Sequence, residues 1–207
     1  TLLNLICGML PAEEGTILMN GIPPSPGDPR IGYMLQKDHL LEWRNIYRNV
    51  LLGLEIRREK TPEKLAYIEE MLDTYGLDKF RTARPSQLSG GMRQRAALIR
   101  TLALKPELLL LDEPFSALDY QTRLNVSDDI GRILKKERKT AILVTHDISE
   151  AISMADRVII LSARPAQVAR IVTIRLSLDE RTPLAARGAP EFKSYFNLIW
   201  KELNQYA

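Results

Sequence analysis

An α/β fold with a parallel sheet core and a helical insertion is what this sequence predicts, on three observations. Short apolar runs at Ile31 to Leu35, Leu108 to Leu111, Ala141 to Val144 and Val158 to Leu161 read as buried strands, and helical stretches alternate with them, as in a parallel sheet. Residues 37 to 104 carry helical periodicity with no strand among them. The run Leu108 to Leu111 ends in Asp112 and Glu113, two carboxylates at the carboxyl end of a strand, where parallel sheets bind ligands.

Taken in order, residues 1 to 36 begin with an apolar helix, Leu2 to Leu10, and reach the first clear strand at Ile31. Thr61 is placed to cap, and Pro62 to open, a helix whose Leu65, Ile68, Met71, Leu72 and Tyr75 share one face, with Gly76 as its stop. Ser89, Gly90 and Gly91 open another helix. Asp147 is placed to cap the helix Ile148 to Met154, with Glu150 positioned like the acid of a capping box. Ala169 to Ile174 reads as a weaker, later strand, and residues 177 to 190 as polar and turn-rich. Phe192, Phe196, Ile199, Trp200 and Leu203 then form a helical stripe expected to be buried against the main domain. There is no internal repeat.

The composition narrows the function classes. With 207 residues, 45% hydrophobic and 27% charged, the chain fits one globular unit. No apolar run approaches the ~18 residues of a membrane span, and nothing resembles a signal peptide. The single cysteine, Cys7, cannot form an internal disulfide and reads as a small core residue in a reducing compartment, the cytosol by default. The net charge of +3 comes from basic residues scattered among 26 acidic ones, which indicates a solvated mixed surface and no nucleic acid partner.

Chemistry concentrates in a few places. A helix opening on Ser89, Gly90 and Gly91 offers free backbone N–H groups and the positive end of a dipole, which suits a phosphate. Three predicted strands lead to polar residues able to face one nucleotide: Gln36, Asp112 and His146. Asp112 suits Mg²⁺ held through water, since a hard cation wants oxygen ligands and keeps part of its hydration. Glu113 suits a base that orients the attacking water, aimed by the turn at Pro114. His146 suits hydrogen bonding to a γ-phosphate, and Gln36 suits bridging metal, water and the helical segment. Each taken singly has a structural rival: an Asp-Glu pair after a strand is commonly a surface turn, and a lone histidine commonly a satisfied or exposed residue. His39, Arg93 and Arg95 read as loop, surface and packing residues.

Together these pieces, Leu88 to Met92, Leu108 to Glu113 and Ser116 to Asp119, resemble in order and spacing the signature, Walker B strand and D-loop of the ATP-binding subunit of an ABC transporter. The resemblance implies a P-loop NTPase-like parallel sheet core spanning residues 1–207, with an inserted helical subdomain at 37–104 and a C-terminal extension and helix at 177–207. It implies ATP and Mg²⁺ as ligands, Asp112 and Gln36 on the metal, and Glu113 and His146 in catalysis. Thr1-Leu2-Leu3-Asn4-Leu5-Ile6-Cys7-Gly8 resembles the helix that follows the family's phosphate-binding loop, and Gly8 to Gly21 the turn and strand after it. That loop is expected immediately before Thr1, which is itself counted among the nucleotide-binding residues; residues 1 to 207 without the loop are expected to be inactive, while the longer subunit is an ATPase coupled to transport. Ser89, Gly90 and Gly91 are implied to grip the ATP of a second subunit in a head-to-tail homodimer, with Asp119 between the two sites.

Leu35 to Trp43, Met92 to Arg95, Ala155 to Val158 with Ser162 to Pro165, and the aromatic C-terminal helix resemble importers of nitrate, sulfonate and taurine. The partners implied are transmembrane permease subunits and, indirectly, an extracytoplasmic substrate-binding protein, with this chain peripheral on the cytoplasmic face of the membrane. Two alternatives stay open. A DNA-repair or chromosome-maintenance ATPase shares the head but carries coiled-coil arms, whereas only about 50 residues separate Gln36 from Leu88, with no sustained heptads. The other is an inactive binding fragment.

Overall fold

The computed structural model describes residues 1–205, which form two compact units: Thr1–Leu118 with Arg138–Ile142, and Asp119–Glu137 with the chain from Leu143 onward. The first unit begins with α1 (Leu2–Ile6), shorter than the expected Leu2 to Leu10. Gly8 ends it: its φ is +73°, and a Cβ there would lie 2.7 Å from the carbonyl oxygen of Pro24. The turn and strand expected over Gly8 to Gly21 reduce to one bridge, Met19 with Ile22, around an Asn20-Gly21 turn with both φ values positive. Leu18 and Ile22 remain exposed and Pro23 and Pro24 follow at once, so no ladder is extended there.

β1 (Ile31–Met34) pairs in parallel with β2 (Leu108–Asp112), Ile31 opposite Leu108 and Met34 opposite Leu111, and β3 (Thr140–Val144) lies on the other side of β2. Parallel pairing requires a long crossover, and between β1 and β2 the chain is helical. α2 (Ile46–Arg57) is capped by the Asn45 side chain, α3 (Pro62–Thr74) by Thr61, and α4 (Gly90–Leu102) by Ser89. α4 is the centrepiece. Ala96, Ala97, Leu98 and Ile99 are all fully buried, and the helix packs on α2, α3 and β1. Gly32 makes the last contact possible, because a Cβ there would meet Thr101 of α4 at 2.7 Å.

The second unit holds α5 (Tyr120–Lys136), α6 (Ile148–Met154), β4 (Arg157–Leu161), β5 (Val168–Thr173), α7 (Pro183–Ala186) and α8 (Phe192–Asn204). β4 and β5 form a separate antiparallel pair, since Ser162 to Gln167 is too short for a crossover. Ile148, Ile152, Val158, Ile160, Val172, Ile174 and Ile199 make the core of this unit. Residues 177 to 190 include the short helix α7, capped by Thr182 and opened by Pro183, a start signal the turn-rich composition obscured. The stripe on α8 is only partly buried: Ile199 is 2% exposed but Trp200 is 55% exposed, stacked on Phe196 at 6.4 Å between ring centroids. Residues 206 and 207 of the predicted C-terminal extension lie outside the described residues.

Candidate active site

β2 carries Asp112 at its last position and Glu113 just beyond, both half-buried. Glu113 has φ +43°, a left-handed conformation that a non-glycine residue adopts at an expense of order 1–3 kcal/mol. Such strain is retained where the side chain must point a particular way. Its direction is set by contact: Gln36, two residues beyond β1, donates from Nε2 to Glu113 Oε2 at 3.2 Å and to Ser116 Oγ at 3.4 Å. Neither bond uses the Gln36 amide oxygen. Ser116 Oγ in turn donates to the Glu113 carbonyl at 3.0 Å. Two of the predicted strand ends are therefore in contact.

Asp112 is approached from β1 as well. The Tyr33 hydroxyl lies 3.4 Å from Asp112 Oδ2 and 3.3 Å from Asn4 Oδ1, and can donate to one of them at a time. Burial, and then the Asp112 charge, push the Tyr33 phenol above its usual range, so it stays a donor. Asn4 belongs to α1, so the helix that opens the chain meets the β1 tyrosine whose hydroxyl also reaches Asp112. Thr1 occupies the N-cap position of α1, exposed, with no cap bond from its side chain. The oxygens of Asp112 and Gln36 are the hard donors that Mg²⁺ selects, and a single carboxylate suits an ion that keeps several waters and takes other ligands from phosphate.

α4 presents Ser89, Gly90 and Gly91 in its first turn. Ser89 Oγ accepts from the Met92 N–H at 3.4 Å, a long cap bond. Gly90 is exposed, and a Cβ on it would press on Leu118 at 2.9 Å. Arg93, read from sequence as a surface or packing residue, instead joins this helix to the loop after Gln36. It pairs with Asp38 Oδ2 at 2.9 Å and with Glu42 at 2.9 Å, while Arg100 donates to the carbonyls of Asp38 and His39 at 2.6 and 2.7 Å. Arg95 donates to the Tyr75 carbonyl. Asn49, fully buried, binds the same loop through Leu41, Arg44 and Asn45. Asn49 and Arg100 carry no motif and Arg93 reads as a surface or packing residue, so sequence reasoning missed their role; a polar Asn within an apolar helical stripe was the one available signal.

His146 and Asp119 belong to the second unit. Asp119 caps α5, accepting from Thr122 N–H at 3.0 Å, and this bonding holds its carboxyl below the usual range. Asp147 caps α6 as predicted, accepting from the N–H groups of Ser149 and Glu150 at 2.8 and 3.2 Å. Glu150 does not close a capping box. Its carboxylate accepts from the Thr145 hydroxyl at 2.6 Å, and Thr145 Oγ1, not Glu150, receives the Asp147 N–H at 3.0 Å. The Thr145 hydroxyl thus takes the place of the acid at the Asp147 N–H and occupies the acid itself. Glu150 is 3% exposed, and burial pushes its carboxyl above the ordinary value.

The family model described as ABC transporter matches residues 1–116, from α1 through both acid positions and Ser116. The chain belongs to the ABC transporter ATP-binding family. It is 49% identical over 204 residues, 99% of this chain and 78% of the relative, to the uncharacterized ABC transporter ATP-binding protein YtlC of Bacillus subtilis (strain 168). It is 38% identical over 204 residues, 96% of this chain and 76% of the relative, to the nitrate import ATP-binding protein NrtD of Synechocystis sp. (strain ATCC 27184 / PCC 6803 / Kazusa). Among solved structures, the dimeric post-hydrolysis state of the ATP-binding cassette MJ0796 bound to ADP and Pi matches with a TM-score of 0.67 at 28% identity, covering 84% of this chain and 79% of that one. This ABC subunit is thus an ATPase of transport with the α/β fold its sequence predicts. No helix among its described residues is long and apolar enough to cross a membrane.

Proposed function

We propose that this ABC subunit hydrolyses ATP, with Glu113 as general base, to drive import of a small solute such as nitrate, sulfonate or taurine. The observation that carries the site is the contact between Gln36 and Glu113 at adjacent strand ends, with Asp112 next in the chain. The Gln36 amide fixes the Glu113 carboxylate, and the left-handed backbone at Glu113 turns it off the strand line. Glu113 takes a proton from water while Gln36 holds it in place, the positioning that dominates phosphoryl transfer. Asp112 and the Gln36 amide oxygen would hold Mg²⁺, which when bound neutralises charge on the β- and γ-phosphates. Ser89, Gly90 and Gly91 are assigned to the nucleotide of a second copy, His146 to the γ-phosphate, Thr1 to nucleotide binding, and Asp119 to a place between the two sites. The import reading is supported by the similarity to a nitrate import subunit and by the sequence of the loop 35 to 43.

Permease subunits are assigned to the surface around Trp43, which is 74% exposed on the loop that Asn49, Arg93 and Arg100 fasten. A substrate-binding protein acts on the far side of the membrane and sets which solute is moved. The decisive experiment is Glu113→Gln in the assembled transporter. Removing the base while keeping its shape should lower turnover by roughly 10²–10⁴-fold, with ATP still bound and a dimer persisting on gel filtration. Turnover within a few-fold of the parent would remove Glu113 from this role.

A further inference from the structure

We propose that Glu150 and Thr145 form a clamp that positions His146 for catalysis, an inference that rests on the γ-phosphate contact proposed for His146 above. The geometry is a short closed circuit around one residue. Thr145 Oγ1 donates to Glu150 Oε2 at 2.6 Å and accepts the Asp147 backbone N–H at 3.0 Å, so the side chain before His146 is bonded to the backbone after it. A hydroxyl has one proton to give and lone pairs to receive, and both capacities are used here in complementary senses. The carboxylate that accepts this hydrogen bond comes from the first turn of α6, and its residue is 3% exposed.

The circuit has a second support. Asp147 Oδ1 accepts the N–H groups of Ser149 and Glu150, while Asp147 Oδ2 lies 3.5 Å from Arg123 Nη1 of α5. Arg123 Nε also lies 3.8 Å from Glu150 Oε1. His146 itself is exposed and sits at the exit of β3. The residues on either side of an exposed histidine are thus held by a buried acid, a hydroxyl and a helix cap. Glu150 and Thr145 are assigned as positioning residues: Thr145 Oγ1 accepts the backbone N–H that follows His146, and Glu150 accepts the Thr145 hydroxyl. A helix cap alone needs none of this: Asp147 already serves α6, and Glu150 in a capping box would have turned to the Asp147 N–H, which Thr145 receives instead.

The test is a double-mutant cycle on ATP hydrolysis in the assembled transporter, using His146→Ala, Thr145→Val and the pair together. Thr145→Val keeps the side-chain shape and deletes the hydroxyl. The expected result is a fall in kcat of at least about tenfold with KM for ATP unchanged, since a small misplacement of a positioned group can lose up to 10²-fold. The pair should be no slower than His146→Ala alone, because a clamp has nothing left to position once the histidine is gone. Thr145→Ser should keep most of the parent rate, and so should Glu150→Gln on the parent chain, whose amide oxygen still accepts the Thr145 hydroxyl. Should Thr145→Val hydrolyse ATP at the parent rate while His146→Ala is slow, the clamp is wrong and the role of His146 stands. Effects that multiply in the pair would show Thr145 acting on the fold alone and overturn the clamp. A His146→Ala variant at full rate would remove the reading of the site on which the clamp depends.

Discussion

Replacing Asn49 by alanine tests how the loop after Gln36 is held. Asn49 is fully buried in α2, and its amide serves four backbone groups: Oδ1 accepts the Leu41 N–H at 2.7 Å, and Nδ2 reaches the carbonyls of Leu41, Arg44 and Asn45 at 3.1, 3.2 and 3.0 Å. Nδ2 has only two hydrogens, so the side chain makes the equivalent of about three full bonds. Losing each, with a backbone group left unsatisfied in a buried place, costs about 1–3 kcal/mol, less where water enters. A loss of about 3–5 kcal/mol is expected for Asn49→Ala, a large share of the 5–15 kcal/mol that usually holds a domain. Equilibrium unfolding in urea measures it as a fall in midpoint at unchanged slope. The Leu41 amide, which loses its Asn49 acceptor, should exchange with solvent faster before global unfolding. A change below about 1 kcal/mol with unaltered exchange at Leu41 would mean that the arginine contacts hold the loop without Asn49.

Three further outcomes follow from particular contacts. Gly32→Ala should destabilise by about 1–3 kcal/mol in thermal unfolding, because its Cβ would press on Thr101, Pro106 and Leu109 at 2.7 to 3.0 Å; an unchanged melting temperature would mean that α4 shifts freely. Arg30 holds the Asp28 carboxyl at about 2 against an ordinary 3.8, so the acid stays ionised to lower pH in the folded chain than in the unfolded one. The stability from that pair is complete above pH 3.8 and lost as pH falls from 3.8 through about 2, and Asp28→Asn should flatten the acid limb in that window. Trp43→Cys should crosslink to the permease subunit when the transporter is assembled, and crosslinks confined to other surfaces would relocate the docking site.

The sequence was most legible where one local rule governed an element. Thr61, Ser89 and Asp147 cap helices where their residue types imply, and Leu108 to Leu111 is the buried central strand its apolar run announces. It was least legible where the deciding partner lies far along the chain. The Arg93 bonds to Asp38 and Glu42 span about 50 residues and have no spacing rule to betray them, and Arg100 reaches carbonyls whose acceptors carry no residue signature. Glu150 misled for a related reason: the pattern for a capping box was present, but a hydroxyl five residues earlier offered its proton at 2.6 Å. Of the candidate site, residue types were readable and mutual contacts were not. The left-handed backbone at Glu113 had no signal at all, since the residue before a proline ordinarily favours extended geometry.

Two residues assigned to nucleotide binding, Ser89 and Asp119, also cap helices, and the chemistry of their side chains separates what each can do. The Ser89 hydroxyl accepts the Met92 N–H over a long 3.4 Å and still has a proton to donate, so a phosphate oxygen is received without loss of the cap. The two neighbouring glycines add backbone N–H groups that an N-terminal turn leaves without intrahelical partners. Asp119 differs. Its carboxylate accepts from Thr122 and, held ionised below the usual range, has no proton to offer an anion. Direct contact between Asp119 and a phosphate would set two negative charges together, so its place beside a nucleotide requires a donor between them: a backbone N–H, a hydroxyl or a water. Ser89→Ala is therefore expected to weaken nucleotide-driven dimerisation directly, and Asp119→Asn, which keeps the cap oxygen and gains a donor, to preserve binding while altering how the two sites communicate.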